Sequence, residues 1–334
     1  MNLQIEIGNY SDVGKTREVN EDYYGSFTGN FGELLIVCDG MGGHKGGETA
    51  SRLAVESVKN HFENLGFEFD PSAEIRKALA EANRLIINTA QQDPSLSDMG
   101  STIVLVLFKN STAHCAHLGD SRIYLIKDGK IRQLTKDHSL VQQMIDSNMI
   151  TEVDAKVHPK KNVITKALGI NAEIEPDILE PFELKENDKL ILCTDGLTSY
   201  VTEQEIFELA ENNTSQQASQ KLVELANNRG GSDNITVQVA SAVQKTTTDN
   251  NQVKIRRRFL SFVLLGLALA AIAFVIIKFD VISFGRDPQK VSNPENNTAP
   301  GKLKGEIKNN SADINNSTNQ DSLNQNNEEE LNHE

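Results

Sequence analysis

Residues 102–134 read TIVLVLFKNSTAHCAHLGDSRIYLIKDGKIRQL. Four apolar runs follow one another in this stretch, 102–108, 113–118, 122–127 and 130–134, separated by Lys109-Asn110-Ser111, Gly119-Asp120-Ser121 and Asp128-Gly129. Each run has the length and composition of a β-strand, and each separator is rich in turn formers. A parallel crossover needs a dozen or more residues, so links this short make the four strands antiparallel neighbours. On this reading Gly119-Asp120-Ser121 is a tight hairpin turn.

That meander constrains everything around it. Folds in which an aspartate ends a parallel strand and helices alternate with strands, as in haloacid-dehalogenase-type phosphatases and response-regulator receivers, do not accommodate it. Upstream, residues 47–65 place Ala50, Leu53, Ala54, Val58, Phe62 and Leu65 on one helical face. Residues 72–90 do the same with Ile75, Ala78, Leu79, Ala82, Leu85 and Ile86, and Asp70-Pro71 supplies an N-cap and a first-turn proline. Downstream, Thr202-x-x-Glu205 is a capping box, and a helix over 216–229 stops at Gly230-Gly231. Helices thus come in pairs. The polar segment 138–167, with Leu140, Val141, Met144 and Ile145, reads as a helical flap on the sheet.

Four aspartates share a position relative to the apolar runs. Asp39, Asp120 and Asp195 each end one, before or within a turn, and Asp233 stands just before another. A single such residue is adequately explained as a turn former. Four of them, on rigid strand ends, describe a site. Two carboxylates about 4 Å apart repel by roughly 4 kcal/mol at an effective dielectric near 20, and hard divalent cations are the usual remedy.

Composition divides the chain. The formal net charge is −14, and the cations Lys254, Arg256, Arg257 and Arg258 nearly cancel the acidic tail, so the excess of negative charge falls on the first 253 residues. This argues against nucleic acid as a partner. Residues 1–243 mix apolar runs, charges and glycines as one globular domain does. A basic juxtamembrane linker follows at 244–258, and residues 259–277 carry no charge over a length sufficient to span a bilayer as a helix. The positive-inside rule puts the large domain in the cytoplasm and the tail outside. Residues 278–334 are rich in Asn, Ser and Glu and are expected to be disordered. Cys38, Cys115 and Cys193 lie in apolar runs without Cys-x-x-Cys spacing, as reduced core residues do. His114 and His117, three apart on a strand, point to opposite faces and form no metal pair.

Taken in order, Arg17 with Asn20-Glu21-Asp22, Val37-Cys38-Asp39-Gly40-Met41-Gly42-Gly43, Gly100-Ser101-Thr102, Gly119-Asp120-Ser121-Arg122, Thr135-Lys136-Asp137-His138-Ser139, Thr165-Lys166-Ala167-Leu168-Gly169, Thr194-Asp195-Gly196-Leu197 and Gly231-Ser232-Asp233-Asn234 resemble the metal-dependent Ser/Thr protein phosphatases of the 2C type, the PPM family, in their bacterial form. The resemblance implies an α+β fold: a central sandwich of two antiparallel β-sheets flanked by pairs of α-helices, here followed by one C-terminal transmembrane helix. It implies two Mn(II) or Mg(II) ions bridged by Asp39, with Glu21 and the Gly40 carbonyl on one and Asp195 and Asp233 on the other. A third, weakly bound ion falls to Asp120 with Asp195. By the same resemblance Arg17 would hold the substrate phosphate and Asp22 would orient the attacking water, which would bridge the two ions. Animal members carry a histidine after the Asp-Gly pair where this chain has Met41, and His44 is not assigned a catalytic role. Phosphorylated proteins are the expected substrates, and a membrane Ser/Thr kinase is an expected partner. Two other functions remain open at this stage, a catalytically silent phosphoprotein-binding scaffold and a phosphatase of a sigma-factor regulatory cascade.

Overall fold

The computed structural model describes residues 3–244, together with Val263 and Gly266. Five strands make one sheet in the order β1 (Leu3–Asp12), β13 (Ile235–Gln244), β12 (Lys189–Cys193), β8 (Arg122–Lys127) and β9 (Lys130–Gln133). The second runs β10 (Asp177–Ile178), β7 (Thr112–Leu118), β6 (Ile103–Lys109), β3 (Gly32–Cys38) and β2 (Tyr23–Gly29), with β11 (Phe182–Glu183) also on β7. Every pairing is antiparallel. A short third ladder joins β4 (Gly40–Met41) to β5 (Gly100–Ser101).

Burial on both faces explains the unbroken apolar runs. Alternate residues of a strand point to opposite sides, so Leu35, Val37, Val104, Val106 and Cys115 meet Ile123, Leu125, Leu190 and Leu192 between the sheets. Their neighbours Leu34, Ile36, Ile103 and Leu105 face outward onto α1 (His44–Glu63) and α2 (Pro71–Gln92). On the other side Tyr124, Ile191, Val237 and Val239 pack with α6 (Glu203–Glu211) and α7 (Ser215–Asn228). The layers are therefore helix, sheet, sheet, helix. The expected caps form: Asp70 accepts from the Ser72 amide with Pro71 in the first turn, and Thr202 and Glu205 make a reciprocal capping box. The flap contains α3 (Leu140–Asp146) and α4 (Glu152–Val157).

The meander needs a correction. Its four strands do not lie side by side: β6 and β7 belong to one sheet, and β8 and β9 to the other. A short link dictates that two strands run in opposite directions, not that they pair. Gly119-Asp120-Ser121 is therefore no hairpin turn but the corner where the chain crosses between sheets. Gly119 makes the corner at φ +113°, and a Cβ there would sit 2.6 Å from the Thr102 side chain. The Asp128-Gly129 turn is a true hairpin, with Lys127 opposite Lys130 and both turn residues at positive φ. Leu85 is a smaller correction. It was expected on the buried face of α2 but is 39% exposed, and that face is completed by Asn83 instead.

Residues 3–244 belong to one compact unit, and Val263 and Gly266, which are helical, to a second. The linker beyond Gln244, the span assigned to 259–277 and the tail 278–334 lie, apart from those two residues, outside the described residues. Among the described residues no helix is long and apolar enough to cross a membrane.

Candidate active site

Strand register gathers the acidic residues at one end of the sandwich. Tyr23 pairs with Cys38, which brings Glu21 and Asp22, just before β2, alongside Asp39, just after β3. In the other sheet Cys193 lies between Val237 and Arg122, so Asp195, at the start of α5 (Asp195–Thr198), neighbours both the Asp233 approach to β13 and the Asp120 corner before β8. Thr102 ties the sheets together at this end. Its hydroxyl accepts from the Asp39 amide at 2.9 Å and bonds the Ser121 hydroxyl at 2.8 Å, and its own amide donates to the Asp39 carbonyl.

Loop 13–21 is held by one buried side chain. Asn234 donates to the carbonyls of Val13 and Val19 at 2.9 and 3.0 Å and accepts from the Glu21 amide at 2.8 Å. Because Asn234 immediately follows Asp233, this clamp sets Arg17 and Glu21 beside Asp233. The Arg17 guanidinium meets both Asp233 oxygens, Nε to Oδ1 at 3.0 Å and NH2 to Oδ2 at 3.1 Å, and approaches Glu21 at 3.8 Å. Gly40 lies against this loop too: its amide donates to the Glu21 carbonyl, and a Cβ on it would overlap the Gly47 carbonyl oxygen at 2.1 Å.

Electrostatics single out the same residues. Burial pushes Asp22 up to about 7, with the charges of Asp195 and Asp233 adding to the shift. Two hydroxyls oppose it, Thr236 at 2.7 Å and Thr194 at 3.0 Å, both donating to Asp22 Oδ2. Asp120 is pushed to about 7 by burial and by Asp195, while Arg122 pulls the other way. Asp195 rises to about 6 through burial and Asp233. Asp39 is raised well above the carboxylate range by burial and by Asp22, Asp195, Asp120 and Asp233. Burial also raises the three cysteine thiols, all free and in the core, so none is a ready nucleophile.

These groups fit hard divalent cations. Carboxylate oxygens are the preferred donors of Mn(II) and Mg(II), and Asp22 Oδ1 and Asp120 Oδ1 are buried without a hydrogen-bond partner among the described residues. Arg17 alone does not balance the six clustered carboxylates of Glu21, Asp22, Asp39, Asp120, Asp195 and Asp233, so further positive charge belongs at this end of the fold.

A second cluster was not anticipated. His114 and His117 do face opposite sides of β7, but His117, His138 and Asp177 bring potential ligand atoms within 4.8 Å of one another. Geometry argues against an ion there. The two rings stack 12° from parallel with centroids 4.6 Å apart, so an ion shared between them would lie far out of both ring planes. His138 Nδ1 also accepts the Gly119 amide at 3.1 Å, which leaves its proton on Nε2, facing Asp177 at 3.5 Å. The stacked pair instead fastens the base of the flap to the Asp120 corner.

Comparison with known proteins agrees with this geometry. A family model described as Protein phosphatase 2C matches residues 14–227. The chain is 37% identical over 233 residues to the serine/threonine phosphatase stp of Listeria monocytogenes, covering 68% of this chain and 92% of that protein. It is 36% identical over 242 residues to the protein phosphatase PhpP of Streptococcus pneumoniae, covering 71% and 97% respectively. Among solved structures, the serine/threonine phosphatase PstP/Ppp of Mycobacterium tuberculosis superposes with a TM-score of 0.67 at 34% identity, covering 73% of this chain and all of that one. A PstP catalytic domain in complex with two manganese ions superposes with a TM-score of 0.65 at 34% identity, with the same coverage. The chain therefore belongs to the protein phosphatase 2C family.

Proposed function

We propose that this protein is a metal-dependent protein serine/threonine phosphatase that hydrolyses phosphoserine and phosphothreonine in other proteins. The observation that carries the reading is the convergence of Asp39, Asp195 and Asp233 with Glu21, Asp22 and Arg17 at one end of the sandwich. Two Mn(II) or Mg(II) ions, when bound, supply charge neutralisation and acidify a water. Asp39, Asp195, Asp233, Glu21 and the Gly40 carbonyl are the groups that would hold them, and Asp120 with Asp195 would hold a third.

The chain's own residues do the rest. Arg17 presents a planar fork suited to two phosphate oxygens, and turning it to substrate means exchanging its contact with Asp233. Asp22 is fixed through Oδ2 by Thr194 and Thr236, which leaves Oδ1 to orient the attacking water and take its proton. Burial raises the Asp22 carboxyl above its ordinary range, which makes it a stronger base toward that proton than an exposed aspartate would be.

The purified protein should hydrolyse a phosphothreonine peptide only with Mn(II) or Mg(II), and Asp39→Asn should abolish turnover. Metal-independent hydrolysis, or full activity in that variant, would overturn the reading. The apolar run 259–277 tethers the domain to the cytoplasmic face of a membrane, an assignment supported by its lack of charge and by the cations at 254–258. Tethering raises the local concentration toward a membrane Ser/Thr kinase and its targets. Release of the full chain from membranes by alkaline carbonate would refute the tether, and failure to co-purify with any kinase would refute the partnership.

A further inference from the structure

We propose that Asn83, on α2 and outside the acidic cluster, is a positioning residue for the site. It holds the segment that leaves the flap and, through it, the backbone at Asp39. This rests on the phosphatase reading above.

Asn83 is a polar side chain, 1% exposed, in a helix face otherwise made of Ile75, Ala78, Leu79, Ala82 and Ile86. A buried amide needs all its partners, and Asn83 finds them in one place. Its Oδ1 accepts from the Gly169 amide at 2.7 Å, and its Nδ2 donates to the carbonyls of Asn171 and Ala172 at 2.8 and 3.2 Å. Packing does not replace these bonds. Beside them lies a cavity of about 690 Å³ lined by Arg84, Leu118, Lys166, Asn171 and Ile174, so the segment after Gly169 rests only partly on solid protein.

One residue before the clamp, Leu168 pairs with Ser101 through two backbone bonds of 2.9 and 3.0 Å. The Ser101 hydroxyl donates to the Asp39 carbonyl at 3.1 Å, and the next amide, that of Thr102, donates to the same oxygen at 2.9 Å. Asn83 is thus linked to Asp39 by contiguous short bonds. Gly169 fits the turn at φ +88°, where a Cβ would sit 2.6 Å from Ile86 and 2.7 Å from the Met99 carbonyl oxygen, so the clamp has little freedom to rebuild in another register.

The test compares Asn83→Ala and Asn83→Asp in the full chain with Leu79→Ala, a core truncation on the same helix that touches none of these bonds. Asn83→Asp keeps the acceptor for Gly169 but sets a carboxylate against two carbonyls. Mn(II) affinity is read by calorimetry, amide exchange at Leu168 and Gly169 by mass spectrometry, and kcat and KM with a phosphopeptide. Expected for Asn83→Ala are a 3- to 10-fold weaker Mn(II) affinity and at least 10-fold faster exchange at 168–169, with Asn83→Asp intermediate in exchange. Leu79→Ala should lower the unfolding temperature and leave Mn(II) affinity unchanged. Equal loss of Mn(II) affinity in Leu79→Ala and Asn83→Ala, or unchanged affinity in both Asn83 variants, would overturn the proposal. Calorimetry and exchange report on the clamp whether or not the wild-type chain turns over phosphopeptide, so failure of the phosphatase reading is seen separately.

Discussion

Arg17 and Asp233 form a two-point ion pair, Nε to Oδ1 at 3.0 Å and NH2 to Oδ2 at 3.1 Å, in which the cation proposed to hold phosphate and a carboxylate proposed to hold metal occupy each other. On the proposed assignment, a guanidinium and a divalent ion compete for one carboxylate. Arg17→Ala should have two effects of opposite sign. Loss of a charge-assisted fork, worth about 1.5–3 kcal/mol, should raise KM for a phosphopeptide by roughly 10- to 100-fold. Loss of the competitor should lower the Mn(II) concentration for half-maximal activity. Arg17→Lys should recover little of the KM, since an ammonium is a point charge. Steady-state kinetics across a Mn(II) titration checks both, and a higher Mn(II) requirement in Arg17→Ala would refute the competition.

The raised carboxylates fix a pH dependence. Asp22 and Asp120 move from an ordinary 3.8 to about 7 in the folded chain. An acid whose folded pKa is raised binds more protons folded than unfolded, so between pH 4 and 7 its contribution to stability falls as pH rises. Each unit corresponds to about 1.4 kcal/mol, shared among the interacting groups. Relative to the metal-free chain kept in EDTA, the gain in unfolding temperature of a separate sample in Mn(II) without chelator should be small near pH 5 and large near pH 7.5, because the ion must displace protons at the lower pH. Calorimetric scans at the two pH values measure it. A gain independent of pH would mean that protonation of this acidic cluster does not oppose the metal.

Much of this site was legible in the strand-end aspartates, because burial writes an unbroken apolar run and a rim residue interrupts it. Antiparallel order was legible in the short links, and the helix pairs in Asp70-Pro71 and in Thr202 with Glu205. What stayed hidden depends on tertiary partners. The link 119–121 specifies direction but not which sheet the next strand joins. Asn83 looks like a polar interruption of a helix face until Gly169, Asn171 and Ala172 arrive from 86 to 89 residues away in sequence. The stacked His117 and His138 likewise meet only when the flap closes back on β7.

Thr236 gives a test of how Asp22 is tuned. Its hydroxyl donates to Asp22 Oδ2 at 2.7 Å, and hydrogen bonds to the charged form of an acid lower its pKa. Thr236→Val removes the hydroxyl while keeping the branched shape, and should move the acid limb of the kcat/KM profile upward by about one pH unit, in line with a lost bond of roughly 1.5 kcal/mol. Thr236→Ser should leave the limb in place. A Val variant with an unshifted limb would remove Asp22 from the titration that controls activity.

Gly119 offers a last separation, between backbone strain and site geometry. Gly119→Ala carries the cost of positive φ, about 1–2 kcal/mol, and its Cβ would press on Thr102 from 2.6 Å, adding an overpacking cost of about 1–3 kcal/mol. For a domain of this size the unfolding temperature should fall by roughly 5–15 °C. Gly129 is the matched control: it also has positive φ, at +70°, but a Cβ there meets nothing within 4 Å, so Gly129→Ala bears the backbone cost alone. Thr102 bonds both the Asp39 amide and the Ser121 hydroxyl, so pressure on it moves the acidic residues of both sheets at once. The Gly119 variant should therefore need several-fold more Mn(II) for half-maximal activity, and the Gly129 variant no more than wild type. If both require the same Mn(II) as wild type, the Gly119 corner serves the fold without positioning the site.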